Sequence, residues 1–427
     1  MHRSGVSPPA GRRSLREWIG PGVITGAADD DPSGIATYSQ AGAQFGTSLL
    51  WTTAFTTPLM IGIQLASARV GWVTGRGLGA NLLAAFPRGV AVTLVLLLIV
   101  ANTINIAADL AAMGDALQLL IGGPQHLYSG AFGVLSVALT VLFPYRRYTR
   151  YLKWLTLSLL AYVAVVLSVH VPWGEAIRSL VVPRFEWSAA YWMLVVAVLG
   201  TTISPYLFFW QAAQEVEGLR ATPDAAALRS NPVFVAEHLY RIKLDTILGM
   251  VFSNVIAFAI MLSAAVTLFA NGVTQIGTSA QAAEALRPIA GDFAFALFAL
   301  GIVGTGMLAV PVLAGSAAYA AADLLRVPAS IERKVTEARE FYAIIAVATA
   351  AGAALDFTPI DPMRALVASA VVNGIIAVPI MAALMIVASR ESIMGELRIG
   401  MRTRILGWAA TAVIAGAGVA MLASLAA

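Results

Sequence analysis

The chain has 427 residues, of which 59% are hydrophobic and only 12% are charged. A soluble domain carries about 25% charged residues, so this composition, with a mean hydropathy of +0.80, places most of the chain in lipid. Cysteine is absent, which excludes disulfides and thiolate metal sites. The sequence has no P-loop and no nucleophile or zinc-protease motif, so we expect neither enzymatic activity nor an ATP-driven step.

The chain begins with a polar, basic segment, residues 1–18, which lacks the features of a signal peptide and is expected to be a cytoplasmic tail. Residues 19–403 are predicted to form a ten-helix core with two repeats, about 19–171 and 190–389, and residues 404–427 an eleventh transmembrane helix. The apolar stretches long enough to cross about 30 Å of hydrocarbon are numbered spans 1 to 11: 19–46, 48–71, 90–121, 128–144, 151–171, 190–218, 242–270, 292–325, 341–353, 362–389 and 405–426. Span 9 is short and is expected to begin earlier, near Glu337.

Lysine and arginine are distributed unevenly between the two sides of the predicted membrane. If the N-terminus is inside, the inside segments carry 22 of the 27 Lys and Arg residues. The opposite side carries Arg178, Arg184, Arg287 and Arg364, and Arg69 lies at the end of a span. This excess predicts a multi-pass protein of the cell (inner) membrane with a cytoplasmic N-terminus and an external C-terminus. Because the basic residues are spread over six short segments, they predict no nucleic-acid partner.

Span 1 is interrupted in its middle by the polar segment Asp29–Gly34. Pro32 has no backbone N–H and disfavours helical geometry at Asp31, while Gly34 adds backbone freedom. Helical backbone should therefore lapse here, and the backbone groups freed at membrane depth must face protein or a water-filled cavity. Carboxylates at that depth are costly and are functional by default, so Asp31 is a candidate cation ligand.

Span 6 is interrupted in the same way within Leu199–Tyr206, where Pro205 follows a run of small hydroxyl residues. Spans 1 and 6 are the first helices of two possible five-helix halves. Interrupted helices at matching positions of two halves are the best indication of a transporter's binding site in a sequence. The alternative is a pair of ordinary proline kinks, which membrane helices tolerate.

Other polar residues of spans 1 and 6 are candidates for the ion pathway. Adjacent residues of a helix lie about 100° apart, so Asp30 is expected near the site or in a vestibule, and Asp29 along an inner water pathway. Gln211 and Glu215 return to the same helix face as the hydroxyl residues before Pro205. For Glu215 the alternative is a solvated position near the helix end, and that position is expected for Glu217.

Two polar residues in other spans are further candidates. Asp109 lies inside span 3 and could cap a cavity or pair with a polar neighbour. Asn373, beside Gly374 in span 10, could reach the site, although a hydrogen bond between helices is the simpler reading. The glycines Gly301, Gly304 and Gly306 have no neighbouring strand, so helix packing explains them and no nucleotide partner is expected.

The segments Asp31–Thr37 and Gln40–Gly46 resemble the first-helix signature of the NRAMP divalent metal transporters. In that family the motif is Asp-Pro-Gly-Asn, followed by a near-identical Gln-Ala-Gly-Ala-Gln-Phe-Gly. The layout of eleven spans agrees along most of the chain. The resemblance implies an all-α polytopic membrane protein with the leucine-transporter-like fold, in which five-plus-five inverted repeats carry broken helices 1 and 6.

The resemblance also implies a metal site, with informative departures. The family's metal-binding Asp matches Asp31, whereas its metal-binding Asn falls on Gly34. On span 6 the family reads Ala-x-x-Met-Pro-His, so its Ala becomes Thr201, its metal-binding Met becomes Ser204 and its His becomes Tyr206. This pattern is similar to the divergent NRAMP-related magnesium transporters. The implied metal site is Asp31, Gly34, Thr201 and Ser204, with Tyr206 in its surroundings.

Two further family residues are also replaced. A second His of helix 6 falls on Trp210, and a family Glu three residues after Asp109 becomes Ala112. The family's helix-6 histidines are candidate proton carriers, because imidazole titrates near neutral pH. Since both are absent, we expect passive or weakly coupled metal movement.

These replacements predict which ion is carried. A thioether selects transition metals, while oxygen ligands suit hard ions. Replacing Met by Ser204 and Asn by Gly34 removes the soft ligand and should enlarge the cavity, which suits a partly hydrated Mg²⁺. Mn²⁺ accepts the same ligands and is the second candidate. We expect an alternating-access carrier of divalent cations with no bound cofactor; the alternatives are a proton-coupled manganese or iron symporter and an organic-substrate carrier of the same fold.

Overall fold

The computed structural model describes residues 25–26, 28–143, 155–222, 231–357 and 361–426, and all regular secondary structure in them is helical. As far as the described residues extend, each predicted span coincides with helical backbone, and the expected earlier start of span 9 is confirmed by a helix that begins at Arg339. The span helices are Pro32–Phe45 (span 1, second half), Trp51–Thr74, Arg88–Ile121, Gln125–Leu142, Leu160–Ser168, Ala189–Thr202 and Pro205–Arg220 (the halves of span 6), Pro232–Thr267, Ala294–Leu325, Arg339–Leu355, Pro362–Ser389 and Met401–Ala426.

Short helices connect the spans. The α-helical connections are Leu78–Ala85, Trp173–Val181, Ser279–Ala283, Arg287–Ala290 and Glu391–Met394. The 3₁₀ segments are Gly46–Leu49, Leu155–Leu159, Phe269–Asn271, Glu284–Leu286, Gly291–Phe293, Val335–Glu337 and Gly395–Leu397. By length and apolarity, seven helices of the described residues could each cross a membrane, and a further pair, Pro32–Leu49 with Trp51–Thr74, is bent by 105°.

The spans form a bundle with a buried centre and an apolar perimeter. The most apolar stretch of span 6 is 89% buried, whereas that of span 4 is only 22% buried. Large apolar side chains face outward on the peripheral helices, among them Val134, Leu167 and Leu422. This is the distribution expected of a protein whose outer surface contacts lipid.

Span 6 is held at the centre by a close backbone approach to span 10. A Cβ on Gly200 would lie 2.2 Å from the carbonyl oxygen of Ala370 and 2.4 Å from the backbone nitrogen of Gly374. Small residues permit such approaches between membrane helices. The contact brings Asn373, the neighbour of Gly374, to the level of the break in span 6.

Candidate metal site at the broken helices

The break in span 1 lies where the sequence predicts it. The backbone leaves the helix at Asp30, and Asp31 is extended, with φ −72° and ψ 172°. Asp31 then caps the second half of the span, because its Oδ1 accepts a hydrogen bond from the backbone N–H of Gly34 at 2.7 Å. Pro32 occupies the first helical position, where its missing N–H costs nothing.

The break in span 6 is built from the same parts. The first half ends at Thr202, Ser204 is extended with ψ 134°, and Pro205 starts the second half. The hydroxyl of Ser204 lies 2.8 Å from the carbonyl oxygens of both Gly200 and Thr201, to which it can donate its single proton. Lone pairs of the Ser204 oxygen remain available as acceptors.

The two breaks face each other. The Tyr206 hydroxyl donates to the carbonyl of Ala28 at 3.0 Å, which joins the second half of span 6 to the first half of span 1. The hydroxyl oxygen of Thr201 lies 3.3 Å from the point that a Cβ on Gly34 would occupy, and the ring of Tyr38 lies equally close. The enlargement expected beside Gly34 is therefore wrong, because Thr201 and Tyr38 border the space that a side chain would have taken.

A buried chain of amides and carboxylates joins Asp31 to spans 3 and 10. The amide nitrogen of Asn105 donates to Asp31 Oδ2 at 3.1 Å and to Asp109 Oδ2 at 3.2 Å. The amide of Asn373 in turn donates to the side-chain oxygen of Asn105 at 3.0 Å. The structure thus brings together Asp31, Asp109 and Asn373, which the sequence singled out, through Asn105, which it did not.

Asn105 was missed although a signal for it exists. It lies four residues before Asp109 in span 3, so the two side chains share one helix face. Ser33 was missed in the same way: its hydroxyl donates to the carbonyl of Leu366 in span 10 at 3.0 Å. This bond fastens the start of the second half of span 1 to span 10.

Asp29 and Asp30 lie on the other side of the break, against span 7. The hydroxyl of Ser253 is 2.5 Å from Asp29 Oδ2 and 3.1 Å from Asp30 Oδ1. Both carboxyl groups are buried. Their predicted places, in an inner pathway and a vestibule, remain predictions.

Gln211 and Glu215 form a second polar group further along span 6. The Gln211 amide donates to Glu215 Oε1 at 3.2 Å, and its own oxygen accepts from the Thr25 hydroxyl at 2.7 Å. Glu215 is buried rather than solvated. Through Thr25, this group connects the first half of span 1 to the second half of span 6. The role of Gln211 and Glu215 on the ion pathway remains a prediction.

The solvated position expected for Glu217 is wrong. Its side chain is buried and accepts hydrogen bonds from the Tyr319 hydroxyl at 3.0 Å and the Ser330 hydroxyl at 2.9 Å. Span 8 and the segment after it cover this end of span 6, and they bring the two hydroxyl groups that replace solvent.

The site can offer oxygen atoms to a cation. Asp31 and Asp109 are both buried, and burying a carboxylate is costly unless a counter-charge or hydrogen bonds compensate it. One oxygen of Asp109 and the side-chain oxygen of Asn373 are buried without a hydrogen-bond partner in the described structure. Among the described residues no three His, Asp or Glu side chains converge on one point, so an ion here would be held by few carboxylates, neutral oxygens and water.

The fold and the two facing breaks define a class of protein, a polytopic carrier whose substrate site lies between interrupted helices. The chain belongs to the Nramp family of divalent metal cation transporters, because the family model described as natural resistance-associated macrophage protein-like matches residues 22–424. Members of this family are transporters and not enzymes. The resemblance drawn from span 1 is thereby confirmed.

Comparison with individual proteins agrees with this family assignment. The divalent metal cation transporter MntH of Yersinia pestis (strain Pestoides F) is 27% identical over 436 residues, which cover 99% of both chains. The crystal structure of a manganese transporter from Eremococcus coleocola, in complex with an aromatic bis-isothiourea substituted compound, matches with a TM-score of 0.71 at 17% identity, covering 99% of this chain and 89% of that one. A nucleobase-cation-symport-1 family transporter in a closed conformation matches with a TM-score of 0.56 at 14% identity, covering 95% and 90%. These structures confirm the predicted fold.

Proposed function

We propose that this protein is an alternating-access carrier for Mg²⁺, with Mn²⁺ as a second substrate, and that the ion binds at Asp31 between the broken spans 1 and 6. Thr201 and Ser204 contribute hydroxyl oxygens, and the backbone around Gly34 contributes its polar groups. The observation that carries the proposal is the Asp31 carboxylate, which is buried at the break in span 1, where the two breaks approach each other through Tyr206 with Ala28 and Thr201 with Gly34.

The choice of ion follows from the chemistry of the oxygens. Mg²⁺ keeps several of its waters and binds through one or two carboxylates, and Asp31 and Asp109 are two carboxylates joined by one amide. Ser204 stands where the family has a metal-binding Met, so the soft ligand that favours transition metals is missing at that position. Mn²⁺ accepts oxygen ligands as well, which makes it the second substrate.

We propose further that metal movement is not coupled to protons. Of the described histidines, His126 pairs with Asp356 at 3.0 Å, His170 is exposed and His238 stacks on Trp72. The fourth, at position 2, lies outside the described residues. The membrane potential is then the driving force, and it supplies about 4.6 kcal/mol for a divalent ion at 100 mV.

The orientation and location proposed here rest on the charge distribution. The excess of Lys and Arg on one side supports a cytoplasmic N-terminus, an external C-terminus and insertion in the cell (inner) membrane. An inside-negative potential favours uptake by a passive cation carrier, whichever way the chain is inserted. The division into a tail at 1–18, a ten-helix core and an eleventh helix at 404–427 is part of the same proposal.

Uptake into proteoliposomes tests the proposal. Vesicles containing the wild type should take up Mg²⁺ and Mn²⁺ when an inside-negative potential is imposed, and Asp31→Ala should abolish this uptake. Ca²⁺ provides the comparison for a larger ion of the same charge. Uptake by Asp31→Ala equal to that of the wild type would remove Asp31 from the site.

The two alternatives predict other outcomes, one in the same vesicles and one in a calorimetric titration. A proton-coupled manganese or iron symporter would acidify the lumen as metal enters, which an internal pH dye detects. An organic-substrate carrier of this fold would release heat with an amino acid, and none with millimolar metal, in isothermal titration. Its anionic substrate would meet the carboxylate of Asp31 at the break, which argues against it.

A further inference from the structure

Asn105 is the only side chain in the described structure that hydrogen-bonds to both Asp31 and Asp109. It lies in span 3, whereas the residues expected at the metal site lie in spans 1 and 6. An amide NH₂ group carries two protons, so its one nitrogen satisfies one oxygen on each carboxylate. Asn105 is fully buried, which keeps competing water away from both bonds.

The orientation of this amide is fixed from three directions. The NH₂ group of Asn105 faces Asp31 and Asp109, and one oxygen of each carboxyl group accepts a hydrogen bond from it. Its oxygen then points the other way, where it accepts from the amide of Asn373 at 3.0 Å. A side chain bound at three points holds one conformation and fixes the positions of the groups that it contacts.

The oxygens that face away from Asn105 are free to act on a ligand. Asp109 Oδ1 and Asn373 Oδ1 are buried and have no hydrogen-bond partner in the described residues. Asn105 thus bonds to one polar atom of each neighbour and leaves these two buried oxygens without a partner, so that they can accept a ligand. The spacing between these oxygens depends on the length and rigidity of one amide.

We propose that Asn105 is a positioning residue that holds the Asp31 and Asp109 carboxylates at a fixed separation and thereby sets the ion preference of the site. The proposal rests on the function proposed above. Mg²⁺ demands near-ideal octahedral geometry, whereas Ca²⁺ accepts six to eight ligands in flexible arrangements. A rigid pair of carboxylates favours the stricter ion, and a mobile pair favours the more tolerant one.

Asn105→Ala removes the hydrogen bonds to both carboxylates and the acceptor of the Asn373 amide, while Asp31 keeps its bond from Gly34 N–H. Residues that orient metal ligands typically contribute about 10- to 100-fold to metal affinity. We therefore expect the KM for Mg²⁺ uptake to rise by about 10- to 100-fold with a smaller change in Vmax. The ratio of Mg²⁺ to Ca²⁺ uptake should fall, because Ca²⁺ tolerates the loosened site.

Asn102 provides a matched control one turn earlier on span 3. It is equally buried, and its amide donates to the carbonyl of Leu313 and the hydroxyl of Ser316 in span 8, both at 2.8 Å. Asn102→Ala therefore removes the same kind of buried amide and the same number of donated hydrogen bonds, away from the carboxylates. It should lower thermal stability while leaving the KM for Mg²⁺ and the Mg²⁺ to Ca²⁺ ratio within about twofold of the wild type.

The experiment measures Mg²⁺ and Ca²⁺ uptake by proteoliposomes of the wild type, Asn105→Ala and Asn102→Ala, with melting temperatures of the same preparations. If Asn105→Ala does not fold, Asn105→Ser, which keeps one hydrogen-bond donor, should show an intermediate shift in KM and in ion ratio. Equal effects of the Asn105 and Asn102 variants, or unchanged KM and ion ratio at Asn105, would overturn the proposal while leaving the carrier function intact. A wild type that moves no divalent cation would overturn both.

Discussion

Replacing Asp31 by Asn separates the two things that this side chain does. As a helix cap it accepts a hydrogen bond from Gly34 N–H at 2.7 Å, and Asn caps helices as well as Asp does. As a carboxylate it offers a negative charge to a cation, and Asn does not. Asp31→Asn should therefore keep the break in span 1 and lose ion binding.

The magnitude follows from the burial of Asp31, which is 2% exposed. A divalent ion about 4 Å from the carboxylate, with one water between them, is attracted by about 8 kcal/mol at an effective dielectric constant of about 20. Desolvation offsets most of this attraction. If about a third of it survives, about 2.7 kcal/mol remains, which corresponds to about 100-fold in affinity.

The assay is Mg²⁺ uptake at concentrations below KM, together with the melting temperature of each variant. Asp31→Asn should take up Mg²⁺ at least about 100-fold more slowly, with nearly wild-type stability. Asp361→Asn is the control, because Asp361 caps span 10 through Met363 N–H at 2.9 Å and has no contact with the breaks in the described structure. Wild-type uptake by Asp31→Asn would refute the reasoning, as would an equal loss of uptake at Asp361.

Three other variants test the packing and the ligand set. Gly200→Ala should lower the melting temperature by several degrees because its Cβ would meet backbone atoms of span 10, whereas Gly416→Ala, which meets nothing within 4 Å, should not lower it. Tyr319→Phe removes a donor to Glu217 and should cost about 1–2 kcal/mol of stability, measured by thermal unfolding. Ser204→Met should raise the ratio of Mn²⁺ to Mg²⁺ uptake, because a thioether favours the transition metal; an unchanged ratio would place Ser204 outside the ion's ligands.

The sequence was sufficient to predict those features of the fold that depend on residues close together in the chain. The break at Asp31 follows from the proline beside it, and the break before Pro205 follows in the same way. The span positions depend on composition averaged over many residues, and they coincide with helices in the described structure. These features need no knowledge of which helices become neighbours.

The parts that the sequence did not predict depend on contacts between distant segments. Asn105 belongs to the site because it hydrogen-bonds to Asp31 and Asn373, which are 74 and 268 residues away in the chain. Glu217 lies near a helix end, so the sequence predicts a solvated side chain. In the structure Tyr319 and Ser330, which are distant in the chain, cover it and donate hydrogen bonds to it. The space beside Gly34 was misjudged for the same reason, since neighbouring side chains decide whether a missing side chain leaves a gap.

The most direct measurement is the position of a bound Mn²⁺, located by anomalous diffraction from crystals of the protein soaked in Mn²⁺. The proposal predicts one peak between the breaks of spans 1 and 6, about 2.0–2.2 Å from an oxygen of Asp31 or about 4 Å from it through a water. The peak should vanish in Asp31→Asn crystals. A peak in wild-type crystals at another place in the bundle, with nothing beside Asp31, would contradict the central claim.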